Sequence, residues 1–375
     1  MKQIFRKITA LLTAAAAALG ISAEASAAPE NISAVSAIVI EADTGTALWE
    51  KNADERRAMA STTKIMTALL TIEAGDLDRE FTVDPLAILV EGTSMGLREG
   101  DRVSRRDLLY GILLPSGNDA ANAAAVSVSG SISAFVKLMN SRAEELGLSD
   151  THFVTPSGLD ADGHYTTARD LARLTAFAMR NEVFREVVAC RSAEVEFGNP
   201  PYKRTLYNSN KMLRRYEGAI GVKTGFTDNA RRCLVSAAQR DGVTLIAVTL
   251  NAGDDWNDHT KMLDYGFTQV RAYPLETSCA DRVAVAGTGQ SVGVRAQPQT
   301  LALTPEQRSR IIREVCLPAF VYGSVSRGDQ LGEIKFLLDG RVVCACPLLA
   351  DSSVEVVEEG PGLFRILLSK LGIYV

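Results

Sequence analysis

Metal ligands and long apolar runs are what this 375-residue chain has least of. It holds three histidines, His152, His164 and His259, and no two stand at a metal-ligand spacing. The six cysteines, at 190, 233, 279, 316, 344 and 346, contain no C-x-x-C pair, so neither a metal nor a cofactor is expected. Two readings of these cysteines stay open: three disulfides, or small buried hydrophobes. No basic stripe appears, and the formal charge is −5. Residues 1–27 carry Lys2, Arg6 and Lys7 against Glu24, a net +2, so their removal takes −5 to −7. A nucleic-acid partner is therefore not expected. The longest apolar stretch, residues 8–21, falls short of the roughly 20 residues that span a bilayer.

What is present is an ordinary globular mix, 46% hydrophobic and 23% charged, at a length that accommodates two domains. The first 27 residues read as a secretory signal peptide. They have a basic start, an apolar middle and the A-x-A site Ala25-Ser26-Ala27. From about residue 30 strands and helical periods alternate up to residue 272. Strands and turns take over from 276 to 358, apart from a short helical piece near 305–315. In the last segment, 361–375, Leu363, Phe364, Leu367, Leu368 and Leu371 share one helical face. It is too short to span a membrane, so it is expected to lie in a membrane surface or to dock on the protein.

Three short patterns carry chemistry. Ser61 and Lys64 stand three apart at a helix start, hence on one face, about 5–6 Å apart at Cβ. A serine hydroxyl needs an adjacent base to become a nucleophile, and a lysine serves once burial or a second cation lowers its pKa. Ser116-Gly117-Asn118 follows in a tight loop after Pro115, and Lys223-Thr224-Gly225 precedes a hairpin that turns at Asp241-Gly242. Gly92-Thr93-Ser94-Met95-Gly96 matches the G-x-S-x-G nucleophile elbow. No helix follows Ser94, and a turn is expected there instead. His164 is expected to be structural.

In this order, S-x-x-K, S-x-N and K-T-G are the set shared by penicillin-binding proteins and class A β-lactamases. The surrounding runs, among them residues 61–73, 91–97, 114–121, 153–159, 163–172 and 221–227, resemble the low-molecular-mass penicillin-binding proteins that are serine-type D-alanyl-D-alanine carboxypeptidases of the peptidase S11 family. The resemblance is close over residues 33–272 and looser beyond.

It implies an α/β multi-domain fold. A β-lactamase/transpeptidase-like catalytic domain would have a central antiparallel sheet flanked by helices, and a small all-β domain would follow. It also implies an enzyme that removes the terminal D-alanine from the peptidoglycan stem peptide and is inhibited by β-lactam antibiotics. The site would lie outside the cytoplasm, at the outer face of the cytoplasmic membrane. Catalysis would fall to Ser61, Lys64 and Ser116. Substrate would be held by Asn118, Lys223, Thr224, Gly225 and Phe226, with the backbone N–H groups of Ser61 and Phe226 facing the oxyanion. Phe226 departs from the family, some members of which have His there. The alternatives are a β-lactamase and a catalytically silent peptidoglycan-binding protein. Arg231 and Arg232 are candidates for carboxylate binding that the sequence does not place.

Overall fold

The computed structural model describes residues 27–356. The leader up to residue 26 and the segment 361–375 lie outside the described residues.

The strand β1 (Ser36–Glu41) is buried at all six positions, as a central strand covered on both faces must be. It pairs antiparallel with β2 (Ala47–Lys51) across a turn that the Glu41 carboxylate fastens, accepting from the Asp43 and Thr44 N–H groups. Next in the chain are β3 (Glu80–Thr82), β4 (Arg102–Ser104), β5 (Ser192–Gly198) and β6 (Pro201–Tyr207), which form a sheet of their own. The strands β7 (Ala219–Thr227), β8 (Arg231–Arg240) and β9 (Val243–Ala252) complete the central antiparallel sheet, ordered β2-β1-β9-β8-β7. The β8–β9 hairpin turns at Asp241 and Gly242, with φ of 48° and 77°, the left-handed pair that a two-residue type I′ turn requires. The strand β7, which carries Lys223-Thr224-Gly225, is left at an edge of the sheet.

Alternation along the strands gives the sheet two covered faces. Ile38 and Ile40 pack with the helix Lys64–Glu73, while Val39, Leu245 and Ala247 pack with Met262 and Leu263 of the helix Asp255–Gln269. Helix Lys64–Glu73 is buried from Lys64 through Ile72, the mark of a helix enclosed by its neighbours. Three further helices, Arg105–Leu113, Asn118–Ser129 and Ile132–Glu145, surround it. Ser104 caps the first of them by accepting from the Asp107 N–H at 3.1 Å, as the sequence suggests.

The helix Asp255–Gln269 holds Asp258 in its first turn for a tertiary contact that periodicity does not reveal. Its carboxylate accepts from Ser33 N (2.9 Å), Ser33 Oγ (2.7 Å) and Ala34 N (2.9 Å), tying the start of the domain to this helix. Helix Glu182–Ala189 and the β5–β6 hairpin are additional elements; Val183, Phe184, Val187 and Val188 fall at helical spacing, and Ala193, Val195 and Phe197 alternate with Glu194 and Glu196. Thr167 caps the helix Ala168–Ala178 by accepting from the Asp170 N–H, while the Asp170 carboxylate accepts from Asp150 N and Thr151 Oγ1.

Beyond the central sheet, β10 (Arg271–Pro274), β11 (Arg282–Val285), β12 (Gln290–Arg295) and β13 (Thr300–Leu303) are followed by β14 (Ile312–Cys316), β15 (Phe320–Val321), β16 (Gln330–Leu338) and β17 (Arg341–Ala350). Six of these make a second sheet, β14-β16-β17-β12-β11-β15, with a core of its own around Val283, Ile334, Phe336 and Leu348. The helical piece is confined to Pro305–Arg310, where Thr304 and Gln307 form a capping box, and β14 takes the residues after it. All six cysteines are free thiols. Cys233 and Cys346 are buried as small hydrophobes, whereas Cys316 is exposed.

Replacing Asp258 with Ala strands three donors. The Asp258→Ala variant is expected to lose about 2–4 kcal/mol of stability in denaturant unfolding. An unchanged midpoint would contradict the role given to this carboxylate.

Candidate active site

Ser61 stands in a one-turn 3-10 segment, Ala60–Thr63, that runs directly into helix Lys64–Glu73. The turn is held from three sides. Thr62 Oγ1 donates to Met59 O at 2.6 Å. Thr63 Oγ1 donates to Ala60 O at 2.8 Å and accepts from His164 Nε2 at 2.8 Å. His164 Nδ1 in turn accepts the Val154 N–H at 2.9 Å, which fixes the neutral Nε2–H tautomer. Burial pushes the His164 pKa down to about 4, in keeping with that chain of donors and acceptors. His164 is thus a structural part of the Ser61 turn.

Two glycines let other segments approach this turn. Gly158 has φ +85°, and a Cβ there would lie 2.0 Å from Ala60 O. Any other residue would push the loop carrying Ser157 away. A Cβ on Gly225 would lie 3.1 Å from Ser61 N and 3.2 Å from Met59 O, so β7 packs its glycine directly against the backbone of Ser61. The sequence suggests that Gly225 makes room for substrate. The neighbour it makes room for within the fold is the Ser61 turn.

Lys64 is completely buried. Its Nζ lies 2.9 Å from Ser61 Oγ, 2.7 Å from Asn118 Oδ1 and 2.7 Å from the Ser157 carbonyl. Burial first, and the Lys223 cation second, hold its pKa well below the ordinary lysine value of 10.5, with Asp119 opposing them. A neutral amine has two N–H donors and one lone pair. If the amine is neutral, the two carbonyl oxygens take its donors and its lone pair is left for the Ser61 hydroxyl. Asn118 is held for this task by its Nδ2, which donates to Glu91 O at 2.7 Å.

Asp119, the next residue, anchors the segment opposite. Its carboxylate accepts from Ser94 Oγ (2.6 Å), Met95 N (2.9 Å), Gly96 N (3.0 Å) and Leu97 N (3.0 Å). Ser94 of the G-x-S-x-G run is therefore a loop tie, and no helix follows it.

Ser61, Ser116, Asn118, Thr224, Gly225 and Phe226 line one cleft of about 520 Å³. Ser116 sits at φ 70°, and its buried Oγ has no hydrogen-bond partner among the described residues. Thr224 Oγ1 lies 3.0 Å from Ser209 Oγ, and Phe226 stands 60% exposed at the rim. Lys223 is set behind this wall. Its amine is buried, donates to Thr224 O at 2.8 Å, and has its pKa brought down to about 7 by burial. Ser157, Ser209, Arg232 and Trp256 belong to the site or its border without any motif in the sequence. A larger crevice of about 1060 Å³, between the β1–β2 turn and the second sheet, contains none of these groups.

A serine beside a buried lysine at a helix start, set against the edge strand of an antiparallel sheet, is the arrangement of a serine acyl-enzyme hydrolase of the transpeptidase fold. The family model for peptidase S11, D-alanyl-D-alanine carboxypeptidase, matches residues 22–254, and the chain belongs to this family of serine-type carboxypeptidases. It is 33% identical to the D-alanyl-D-alanine carboxypeptidase DacF of Bacillus subtilis, with 86% of each chain covered. It is also 33% identical to DacC of Escherichia coli, covering 92% of this chain and 89% of the relative. The crystal structure of the Streptomyces K15 DD-transpeptidase superposes with a TM-score of 0.61 at 36% identity, covering 64% of this chain and 99% of that one.

His164 yields a signed pH dependence. Its folded pKa of about 4 lies below the ordinary 6.5, so the unfolded chain binds the proton more readily between those values. The full stability is present above pH 6.5 and is lost as pH falls toward 4, with a slope of up to about 1.4 kcal/mol per pH unit from this group. Buried His259, held down to about 3, acts in the same direction. The His164→Gln variant is expected to show a shallower slope in that window by urea unfolding; an identical slope would contradict the assignment.

Proposed function

We propose that this chain hydrolyses the terminal D-Ala-D-Ala bond of the peptidoglycan stem pentapeptide, with Ser61 as nucleophile and Lys64 as its base. The observation that carries the reading is the placement of the buried Lys64 amine 2.9 Å from Ser61 Oγ, with two carbonyl oxygens at 2.7 Å to take the N–H donors of its neutral form. As Oγ bonds to the carbonyl carbon of the penultimate D-Ala, its proton passes to Lys64 Nζ. The oxyanion that forms faces the backbone N–H groups of Ser61 and Phe226. The Ser61 N–H belongs to the first turn, whose donors lack intrahelical acceptors. Each such donor is worth on the order of 10²–10³ in rate.

Lys64 then returns the proton through Ser116 to the departing D-Ala nitrogen, and the unpartnered Ser116 Oγ is free for that relay. Thr224, with Lys223 behind it, faces the terminal carboxylate. Water, activated by Lys64 a second time, releases the shortened peptide. Penicillins would acylate Ser61 by the same route.

The intact contacts among Ser61, Lys64 and Asn118 support a working enzyme over a silent binding protein. In this reading residues 30–272 form the catalytic unit and 276–358 the small β domain. The signal peptide delivers the chain across the membrane, and residues 361–375 rest on the outer surface of the cytoplasmic membrane. Among the described residues no single helix is long and apolar enough to cross a bilayer.

Incubation with a pentapeptide ending in D-Ala-D-Ala is expected to release free D-Ala. Ser61→Ala should abolish both release and labelling by fluorescent penicillin, and Lys64→Ala should slow acylation by 10³-fold or more, on the order of a lost general base. Labelling without D-Ala release would favour the β-lactamase or the silent binding protein. Labelling of Ser61→Ala would remove Ser61 from the mechanism.

A further inference from the structure

The end of the central sheet away from the Ser61 cleft is also hollowed. Ile220 and Phe226 stand six residues apart on β7, about 20 Å at strand rise. Phe226 borders the cleft, whereas Ile220, Gln239 of β8 and Thr244 of β9 line a crevice of about 490 Å³ at the far end. Two more crevices meet it at Asp43 and Arg180, which line all three. One is the 1060 Å³ crevice against the second sheet, and the other, of about 280 Å³, lies beside the β1–β2 turn. Together they make one groove from the central sheet to the second sheet. The two walls touch where Gln307 Nε2 donates to Thr46 Oγ1 at 2.6 Å.

Five arginines line this groove, at 173, 180, 185, 310 and 341, against two carboxylates, Asp43 and Asp339. In a chain whose formal charge is −5, that is a local excess of the opposite sign. Three of the five are engaged. Arg310 is held by Glu306 and Asp339, Arg173 lies 3.7 Å from Asp170, and Arg185 donates to the Met179 and Arg180 carbonyls. Arg180 and Arg341 are exposed, and neither pairs with a carboxylate among the described residues. They reach the groove from different walls, Arg180 beyond the end of helix Ala168–Ala178 and Arg341 from the start of β17. A recess lined by one sign of charge concentrates counter-ions.

The remaining lining narrows the ligand. Guanidinium forks match the oxygens of phosphate. Thr44, Thr46 and Gln299 add hydroxyls and an amide, and Asp43 has no arginine within ion-pair distance, so its carboxylate is left to accept from a hydroxyl. A recess admits a thread, whereas a flat bilayer surface does not reach arginines on both walls.

We propose that this groove binds a hydroxyl-bearing phosphodiester polymer, with Arg180 and Arg341 as its main contacts. The site is separate from the reaction at Ser61. A polymer held there spans both sheets and anchors the enzyme away from its cleft.

The test measures binding of fluorescent poly(glycerol phosphate) to the full chain by anisotropy. Wild type should bind, and raising the ionic strength from about 0.05 to 0.5 M should weaken the complex. Arg180→Gln/Arg341→Gln should bind about 10-fold more weakly, on the scale of two exposed charge-assisted contacts. The control is Arg98→Gln/Arg214→Gln, which removes the same charge from exposed positions outside the groove and should bind as wild type does. An unchanged unfolding midpoint in both double variants reports an intact fold.

Absence of binding by wild type would overturn the proposal, as would equal losses in the two double variants. Poly-glutamate bound as tightly as poly(glycerol phosphate) would overturn the assignment to phosphodiesters. Binding to phosphatidylglycerol vesicles without binding to the polymer would replace the thread with a lipid surface.

Discussion

The site depends on one buried amine. Lys64 is enclosed on all sides in the helix that the rest of the catalytic domain surrounds, and a charge there would be costly. The fold gives that nitrogen two carbonyl acceptors and one hydroxyl. In its neutral form the amine donates to the two carbonyls and accepts from the serine. A solvated lysine would be charged at neutral pH and useless as a base. Burial and the neighbouring Lys223 make the difference.

Much of the surrounding architecture can be understood as maintaining that count. Asn118 can present Oδ1 to Lys64 because Glu91 O takes its Nδ2, and Asp119 holds the 94–97 segment beside it through four donors. Ser157 O reaches the amine because Gly158 allows its loop to touch the Ser61 turn. On the other side Gly225 brings β7 to Ser61 N, and with it the Lys223 charge. The helices, the loop after helix Arg105–Leu113 and the edge strand each contribute one part. The site is therefore a product of tertiary packing, with only the Ser61–Lys64 spacing set locally.

That division also decides what was legible in the sequence. Ser61 and Lys64 share a turn, so their contact follows from helical spacing. Ser116, Asn118, Lys223 and Thr224 sit in motifs, and the hairpin signal at Asp241-Gly242 placed β7 in a sheet. Ser157 contributes a backbone oxygen, which leaves no trace in residue type. Arg232 faces the cleft because of ladder register, and Asp258 binds Ser33 and Ala34 far away in the chain. Such long-range partners have no local pattern. The β5–β6 hairpin does carry a local signal, since Glu194 and Glu196 alternate with Val195 and Phe197 and Gly198-Asn199-Pro200 marks the turn.

The most direct test of the central claim is the protonation state of Lys64 in the resting enzyme. Lysines carrying ¹³C at Cε can be titrated by NMR, with Lys64→Arg supplying the assignment. The Lys64 resonance is predicted to titrate well below 10.5, reporting a neutral amine under working conditions. A Lys64 that titrates near 10.5 would mean a resting ammonium and would contradict this account of the site.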